Sequence, residues 1–507
     1  MTLLALDIPA GFYRNGTDLE QSNRWRDGSL VRWRDGSLRP VKGWSERKTS
    51  FSTNTIRGMH AWESLDGSVY LAGGSYNELV VMVGSNTLYD ITPTGVGNAL
   101  NAGLEKASVI TGYGYGDYGS ESYGDERSNY GNYSEATVWS LDNFGEYLVA
   151  CSAKVAGNGD GRLLEWQLGS TAEAAAISNA PIDCFGLVVT EERFLFALGG
   201  RFPAESYANP RKVYWCDQED NTTWTAATTN QAGSQELQTS GMIMQGLRTR
   251  GQTLIITDVD AHVARFVGSP FIFGFERVGT ACGAISRKAA IDVDMGAFWM
   301  GQRGFFAFQG NTVQQLPCAV HDYVFDDFNR DQQSQIWAWS NVEYGEIWWF
   351  YPSSNSQEVN RYVAYNYNDN YWITGNLSRT AGVPRGVFKH PLLIATNKTV
   401  YEHETSLSYD GADVFAETGP ISLGNGDQTM NIMQLIPDEK TQGEVSLKFK
   451  TRFYPNDTES THGPYSPANP TGVRFAGRQF RMRVDGTAGK DWRVGNMRVD
   501  AFPAGKR

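Results

Sequence analysis

No stretch of eighteen apolar residues occurs in this 507-residue chain, so no helical membrane span is expected. The opening Met1-Thr-Leu-Leu-Ala-Leu-Asp7 has neither a basic segment nor a long apolar core, and no signal peptide is expected. Cysteine is scarce: Cys151, Cys184, Cys216, Cys282 and Cys318 stand singly at no ligand-like spacing, as buried thiols made in a reducing compartment would. The six histidines form no His-x-His or His-x-x-x-His pair, and there is no Gly-x-Ser-x-Gly elbow and no phosphate loop. These absences speak against an enzyme, a cofactor and a metal site. Amphipathic helical patterns are nearly missing as well, the best being Val320 to Gln335, with Tyr323, Val324 and Phe328 three or four apart.

What the chain has instead is short apolar and aromatic runs between glycine and polar turns. The clearest is Gly296-Ala-Phe-Trp-Met-Gly, then Gly304-Phe-Phe-Ala-Phe, then Thr312-Val-Gln-Gln-Leu, an antiparallel meander. Its opening phrase recurs at Gly67, Gly145, Glu192, Gly251, Gly345 and His390, with copies 45 to 59 residues apart once an unusual stretch at 111–134 is set aside. A four-stranded blade takes about 40 to 50 residues, so seven copies predict a seven-bladed β-propeller. Trp224 and Trp372, each after a polar turn, are expected as filling between the sheets. The organisation predicted is an N-terminal arm and hairpin at 1–50, a propeller at 51–405 with a Gly/Tyr-rich insertion at 111–134, and a C-terminal β-sandwich at 412–507. The class is all-β.

Charge is unevenly placed within a net −12. Residues 1–50 carry nine Lys/Arg against six Asp/Glu and residues 471–507 nine against three, so the body between is strongly acidic. Such a body is a poor static nucleic-acid binder, though it would suit a conduit along which DNA slides. In the N-terminal stretch Trp25-Arg26-Asp-Gly28 and Trp33-Arg34-Asp-Gly36 predict two β-turns, each following a Trp/Arg pair available for stacking. In the insertion, Gly114-x-Gly116-x-x-Gly119 formally matches a dinucleotide fingerprint, but no helix-forming run follows and the gaps hold Tyr and Asp. Its Tyr113, Tyr115, Tyr118, Tyr123, Tyr130 and Tyr133 suit a loop that docks rings on a protein partner. The pairs Asp258/Asp260 and Asp292/Asp294 place two carboxylates on one strand face, expected as strand-edge or channel charges rather than a glycosidase pair.

Past Thr405 the period stops. Alternation such as Val445, Leu447, Phe449 against Ser446, Lys448, Lys450 marks strands with one buried face. Arg474, Arg478, Arg481 and Arg483 gather on the expected solvent side, either as a solvated strand face or as a surface for an acidic neighbour or exiting DNA.

The pattern Pro9-Ala-Gly11, Asn15-Gly-Thr17, Trp25-Arg-Asp-Gly28, Val31-Arg-Trp33, Gly36, Pro40 and Gly43-Trp44 resembles the opening of a family of tailed-bacteriophage virion proteins. Glu417-Thr-Gly, Asp491-Trp-Arg-Val-Gly495 and Arg498-Val-Asp resemble the same family, the tail hub, nozzle and packaged-DNA-stabilisation proteins of short-tailed phages. The resemblance implies a non-enzymatic propeller subunit in a homo-oligomeric ring, typically a hexamer, below the portal and adaptor. It also implies DNA passing through the middle, tail fibres or a tail tip below, and a place in the virion tail after assembly in the host cytoplasm. Trp25, Arg26, Trp33 and Arg34, the six tyrosines and the four arginines are the interface candidates. The alternative is a carbohydrate-binding or carbohydrate-cleaving receptor component, with Trp348, Trp349 and Tyr351 as sugar platforms.

Overall fold

The computed structural model describes residues 3–84, 86–95, 97–109, 133–168, 172–422 and 428–505. Its plan follows from the recurring phrase. Each copy is the second strand of a blade: Val69–Gly74, Tyr147–Ser152, Leu195–Leu198, Gln252–Thr257, Gly296–Gly301, Glu346–Tyr351 and Leu392–Ile394. A strand inside a sheet that is itself packed between two sheets is covered on both faces, so it reads as an unbroken apolar run. Glu346–Tyr351 is buried at every position.

Seven four-stranded antiparallel sheets result, at 59–90, 139–176, 186–236, 243–280, 290–316, 337–376 and 381–406, numbered here as blades 1 to 7. Their innermost strands touch in sequence order, and the first also touches the last, so the ring closes. Fully buried tryptophans lock neighbours together through their indole N–H groups. Trp139 of blade 2 donates to the Ser75 carbonyl of blade 1 (2.6 Å), and Trp349 of blade 6 to the Ala289 carbonyl at the start of blade 5 (2.9 Å). An indole N–H left dry and unpaired would cost about 1–3 kcal/mol. Trp224 and Trp372 are buried as expected, although Trp224 lies in a loop rather than a strand. The helical candidate is reduced to a one-turn helix, His321–Phe325, and a 3-10 turn, Arg330–Gln335.

The N-terminal residues are not a separate arm. Blade 7 supplies three strands of its own, and its outer strand is Gly43–Lys48, which pairs with Val400–Ser406. Arg379 lies over both Trp44 and Tyr401 and donates to His403 Nε2 (2.9 Å), fastening that closure. Trp25–Ser29 joins the sandwich beside Phe415–Thr418, and Leu3–Ala5 pairs with the last strand, Arg498–Pro503. The sandwich therefore has one sheet of Leu3–Ala5, Arg498–Pro503, Met430–Ile436 and Thr471–Gly477. The other contains Trp25–Ser29, Phe415–Thr418, Gln479–Gly486, Val445–Arg452 and Ser460–Tyr465.

The two Trp-Arg-Asp-Gly copies fold differently. In the second, Asp35 (φ 51°) and Gly36 (φ 73°) form the tight turn between Val31–Arg34 and Ser37–Pro40, both in the left-handed region that a two-residue hairpin needs. The first is no turn: it runs through a strand with a bulge between Trp25 and Asp27. There Gly28 is required for space, because a Cβ would lie 2.4 Å from the Phe12 ring and 2.6 Å from the Phe415 carbonyl.

The hairpin is held to the propeller by a buried charge cluster. Arg32 bonds both oxygens of Glu346 (2.9 and 2.9 Å) in blade 6 and both of Glu404 (3.1 and 2.7 Å) in blade 7. Burial pushes the Glu346 carboxyl up, while the two glutamates hold Arg32 above its usual value against the burial that would lower it. Tyr362 and Tyr371 hydroxyls accept from the backbone N–H groups of Leu30 (2.8 Å) and Trp33 (3.2 Å), so this hairpin docks on blade 6 along its length.

Candidate functional site

The innermost strands line the axis of the ring, and several of them carry polar residues there, where one edge of each strand has no strand partner. Side chains supply the missing bonds from blade to blade. His60 Nε2 lies 3.1 Å from Asn143 Oδ1, an acceptor, so Nε2 carries the proton. Asp142 Oδ2 accepts from the backbone N–H of Val189 in blade 3 (3.1 Å). The Gln245 amide of blade 4 both donates to the carbonyl and accepts from the N–H of Ala290 in blade 5 (2.9 and 3.0 Å).

Lys288, entering blade 5, is the exception. Its ammonium has no hydrogen bond or ion pair, and burial pushes it down to about 8 with Asp142 pulling the other way. Its electrostatic partners, Asp142 and His60, belong to blades 2 and 1, so its side chain points into the axial channel. Burial lowers the His60 imidazole too, against the opposing pull of Asp142.

One mouth of the channel is crossed by the base of the insertion. Ser108–Val109 pairs with Tyr133–Ser134, and this short ribbon leaves from between blades 1 and 2. Ala107 exchanges two hydrogen bonds with the Gln332 amide (2.9 and 2.9 Å), and the Ala136 N–H donates to Ser334 Oγ (3.0 Å). Gln332 and Ser334 lead into the inner strand of blade 6, Trp337–Asn341, as Ala136 leads into that of blade 2, Trp139–Phe144. In a ring of seven those strands face each other, so the ribbon base lies across the axis. Buried cations brace it: Arg287 bonds Glu135 (3.1 Å) and the Ile243 carbonyl (2.9 Å), and Arg57 bonds the Glu105 carbonyl (3.0 and 2.9 Å) and Glu358 (3.1 and 2.7 Å). A buried polar cluster of this kind is stable when each member is satisfied.

The opposite face is decorated. The hairpins joining first to second strands carry exposed Leu65, Tyr147, Met295, Val342 and Val387. Between blades 4 and 5 lies a groove of about 720 Å³ lined by Arg248, Arg250, Asp292 and Asp294, none of them in an ion pair or a side-chain hydrogen bond. Burial, and then the neighbouring Asp294 carboxylate, raise Asp292 to about 6.

The expected interface residues are dispersed. Trp25 and Trp33, 5 % exposed each, are packed against one another and, through Trp33, against Phe12 and Tyr371. Arg26 bonds Asp18 (2.6 Å), and Arg34 remains at the surface near the Tyr344 ring. Tyr133 is half-buried in the ribbon, whereas Tyr113, Tyr115, Tyr118, Tyr123 and Tyr130 fall outside the described residues.

The four C-terminal arginines do not share a face. Arg474 is exposed on Thr471–Gly477 in one sheet, and Arg478 lies over Tyr454. In the other sheet, Arg481 bonds Asp18 and Glu459 (2.9 and 3.2 Å) and Arg483 bonds Asp485 (2.7 Å). Arg452 also reaches Asp18. Burial works to raise that carboxyl, but Arg452, Arg481 and Arg26 outweigh it and hold it below its usual value.

The carboxylate pairs also part company. Asp260 is buried against Thr257 (2.6 Å) and His262 (3.1 Å), and Asp258 caps the Met242 N–H (2.8 Å), while Asp292 and Asp294 border the groove. Trp348, Trp349 and Tyr351 are buried and present no ring to a sugar. All five cysteines are free. Burial raises their thiols, that of Cys282 to about 11. Among the described residues no group of three or more His, Cys, Asp or Glu is placed to hold a metal, and no helix is long and apolar enough to cross a membrane.

Neither a family model nor a curated protein sequence matches the chain. Solved propeller structures resemble it at low identity. A streptogramin B lyase is 8 % identical over 71 % of this chain and 97 % of its own, with a TM-score of 0.40. BamB from Moraxella catarrhalis is 8 % identical over 74 % and 94 %, TM-score 0.34. YCF48 bound to a D1 peptide is 8 % identical over 73 % and 99 %, TM-score 0.39.

Proposed function

We propose that this chain is a structural subunit of a short-tailed phage tail, a hub or nozzle component that assembles into a ring below the connector and carries distal parts. The observation that supports it most is the unlike construction of the propeller's two ends. One is stoppered by the ribbon from which the Tyr-rich insertion departs, and the other is a face of apolar tips and unpaired charge. A subunit set between two different neighbours needs two such surfaces on one rigid body. The non-enzymatic reading rests on the polar groups of the axis, most of which cap backbone and neighbouring blades.

Because the ribbon base crosses the axis of each propeller, DNA in such a ring would run between subunits rather than through one. The test is mass in solution by light scattering, for the protein alone and after mixing with its portal and adaptor complex. A stoichiometric ring on the connector is the expected result. A chain that stays monomeric and ignores the connector would remove the reading.

A further inference from the structure

We infer that the groove between blades 4 and 5 is a binding site for a short extended peptide segment of a partner protein, one carrying acidic and basic side chains together. Arg248 lies near the end of the inner strand of blade 4 with Arg250 in the turn after it, and Asp292 and Asp294 are placed likewise in blade 5. All four line one cavity, and Arg248 is near enough to act on Asp292 electrostatically, yet no ion pair forms between the walls.

A side-chain hydrogen bond ties the two walls together at one end of the groove. Gln252 of blade 4 donates to Asn311 Oδ1 in the last turn of blade 5 (3.0 Å), and Arg265 fixes the Gln252 amide from behind (3.0 Å). On the far side, Glu191 of blade 3 is occupied by the Gly251 N–H (2.9 Å), which pins the hairpin that carries the arginines. The result is a groove with two arginines on one wall and two aspartates on the other, exposed and without an ion pair between them.

A segment with a carboxylate toward blade 4 and an ammonium or guanidinium toward blade 5 would form charge-assisted bonds to both walls without breaking an internal pair. The groove lies within the roughly 300–1,000 Å³ typical of ligand pockets, which suits a few residues and not a folded domain. Phe308, the aromatic residue of the lining, is buried, so the groove offers no stacking platform to a sugar. The site does not depend on the tail role.

The test is fluorescence polarisation with a labelled Lys-Glu-Lys-Glu peptide, against all-Lys and all-Glu peptides of equal length. Saturable binding is expected for the mixed peptide, weaker binding for the other two, and at least a tenfold loss in both Arg248→Ala/Arg250→Ala and Asp292→Asn/Asp294→Asn. The substituted side chains are at the groove surface, and unchanged thermal midpoints would confirm that folding is intact. Lowering the pH from 7 to 5 should weaken binding, since protonation of Asp292 removes charge from a wall whose other ionisable groups are Asp294, Arg248, Arg250 and Glu191. No saturation at millimolar peptide, wild-type affinity in either double variant, or tighter binding of the all-Lys peptide would overturn the inference.

Discussion

Blades 1 to 6 and the remainder of the molecule are made of the same kind of strand but assembled in opposite ways. Each of those blades is a meander of consecutive strands joined by turns, whereas blade 7 and the sandwich recruit strands from the other end of the chain. Local pairing needs little beyond a turn and an apolar run. Remote pairing must be specified by particular contacts, and ion clusters sit at these joins: Arg32 with Glu346 and Glu404, and Asp18 with Arg26, Arg452 and Arg481.

The largest test of that contrast is removal of residues 1–48, which takes away the outer strand of blade 7 and two sandwich strands. Loss of a cooperative unfolding transition by circular dichroism is expected; a sharp transition at an unchanged midpoint would show that the woven ends contribute nothing. Next comes Arg32→Ala, which strands two buried carboxylates and should cost about 3–5 kcal/mol in urea unfolding. A loss below about 1 kcal/mol would mean that the hairpin is held by Trp33 and the blade 6 tyrosines alone.

Asp18→Asn is smaller, about 1–3 kcal/mol, for the loss of a charge shared by three arginines. Because the folded carboxyl titrates below its usual value of 3.8, its stabilisation is complete above the unfolded pKa. It disappears as pH falls through the folded pKa, so wild type and variant should converge at strongly acidic pH and diverge near neutrality.

The smallest effect has the opposite sign and belongs to the locally built blades. Lys288→Met removes an unpartnered ammonium from the axial channel and should raise the thermal midpoint at pH 7. The folded lysine titrates near 8 and the unfolded one at 10.5, so the wild type gains stability as pH rises between those values. The advantage of the methionine variant should shrink over that window. A gain independent of pH would point to packing rather than charge.

The same contrast decides what could be read from the residues. Gly345-Glu-Ile-Trp-Trp-Phe announces a strand covered on both faces, because two-sided burial favours an apolar run and the one charge in it, Glu346, is paired with Arg32. The inner strand Trp139–Phe144 gives no such signal: Asp142 and Asn143 bond neighbouring backbone, and polar side chains at an axis look like those at a surface. The Trp-Arg-Asp-Gly repeat misleads for a related reason. Identical tetrapeptides became a turn at Asp35-Gly36 and a bulged strand at Asp27-Gly28, and the difference lies with Phe12 and Phe415, one of them nearly 400 positions distant. Arg481 and Arg483 looked like a solvent stripe because their partners Asp18, Glu459 and Asp485 are set by the fold. Of the stoppered mouth, Gln332 to Gln335 was the available trace: a glutamine-rich turn whose Gln332, Ser334 and Gln335 are buried needs backbone groups to bond, and the insertion base provides them.

The pairing of Gly43–Lys48 with Val400–Ser406 has a consequence for synthesis. During translation, blades 1 to 6 can each close soon after their own residues emerge from the ribosome. The first forty-eight residues must wait, with the apolar Trp25, Trp33 and Trp44 among them, until strands made at the end of the message arrive. The nascent chain therefore carries an unsatisfied, tryptophan-rich leader through nearly its whole manufacture. Slowing the last codons, or releasing the chain before residue 400, would lengthen the interval in which that leader can stick to another copy.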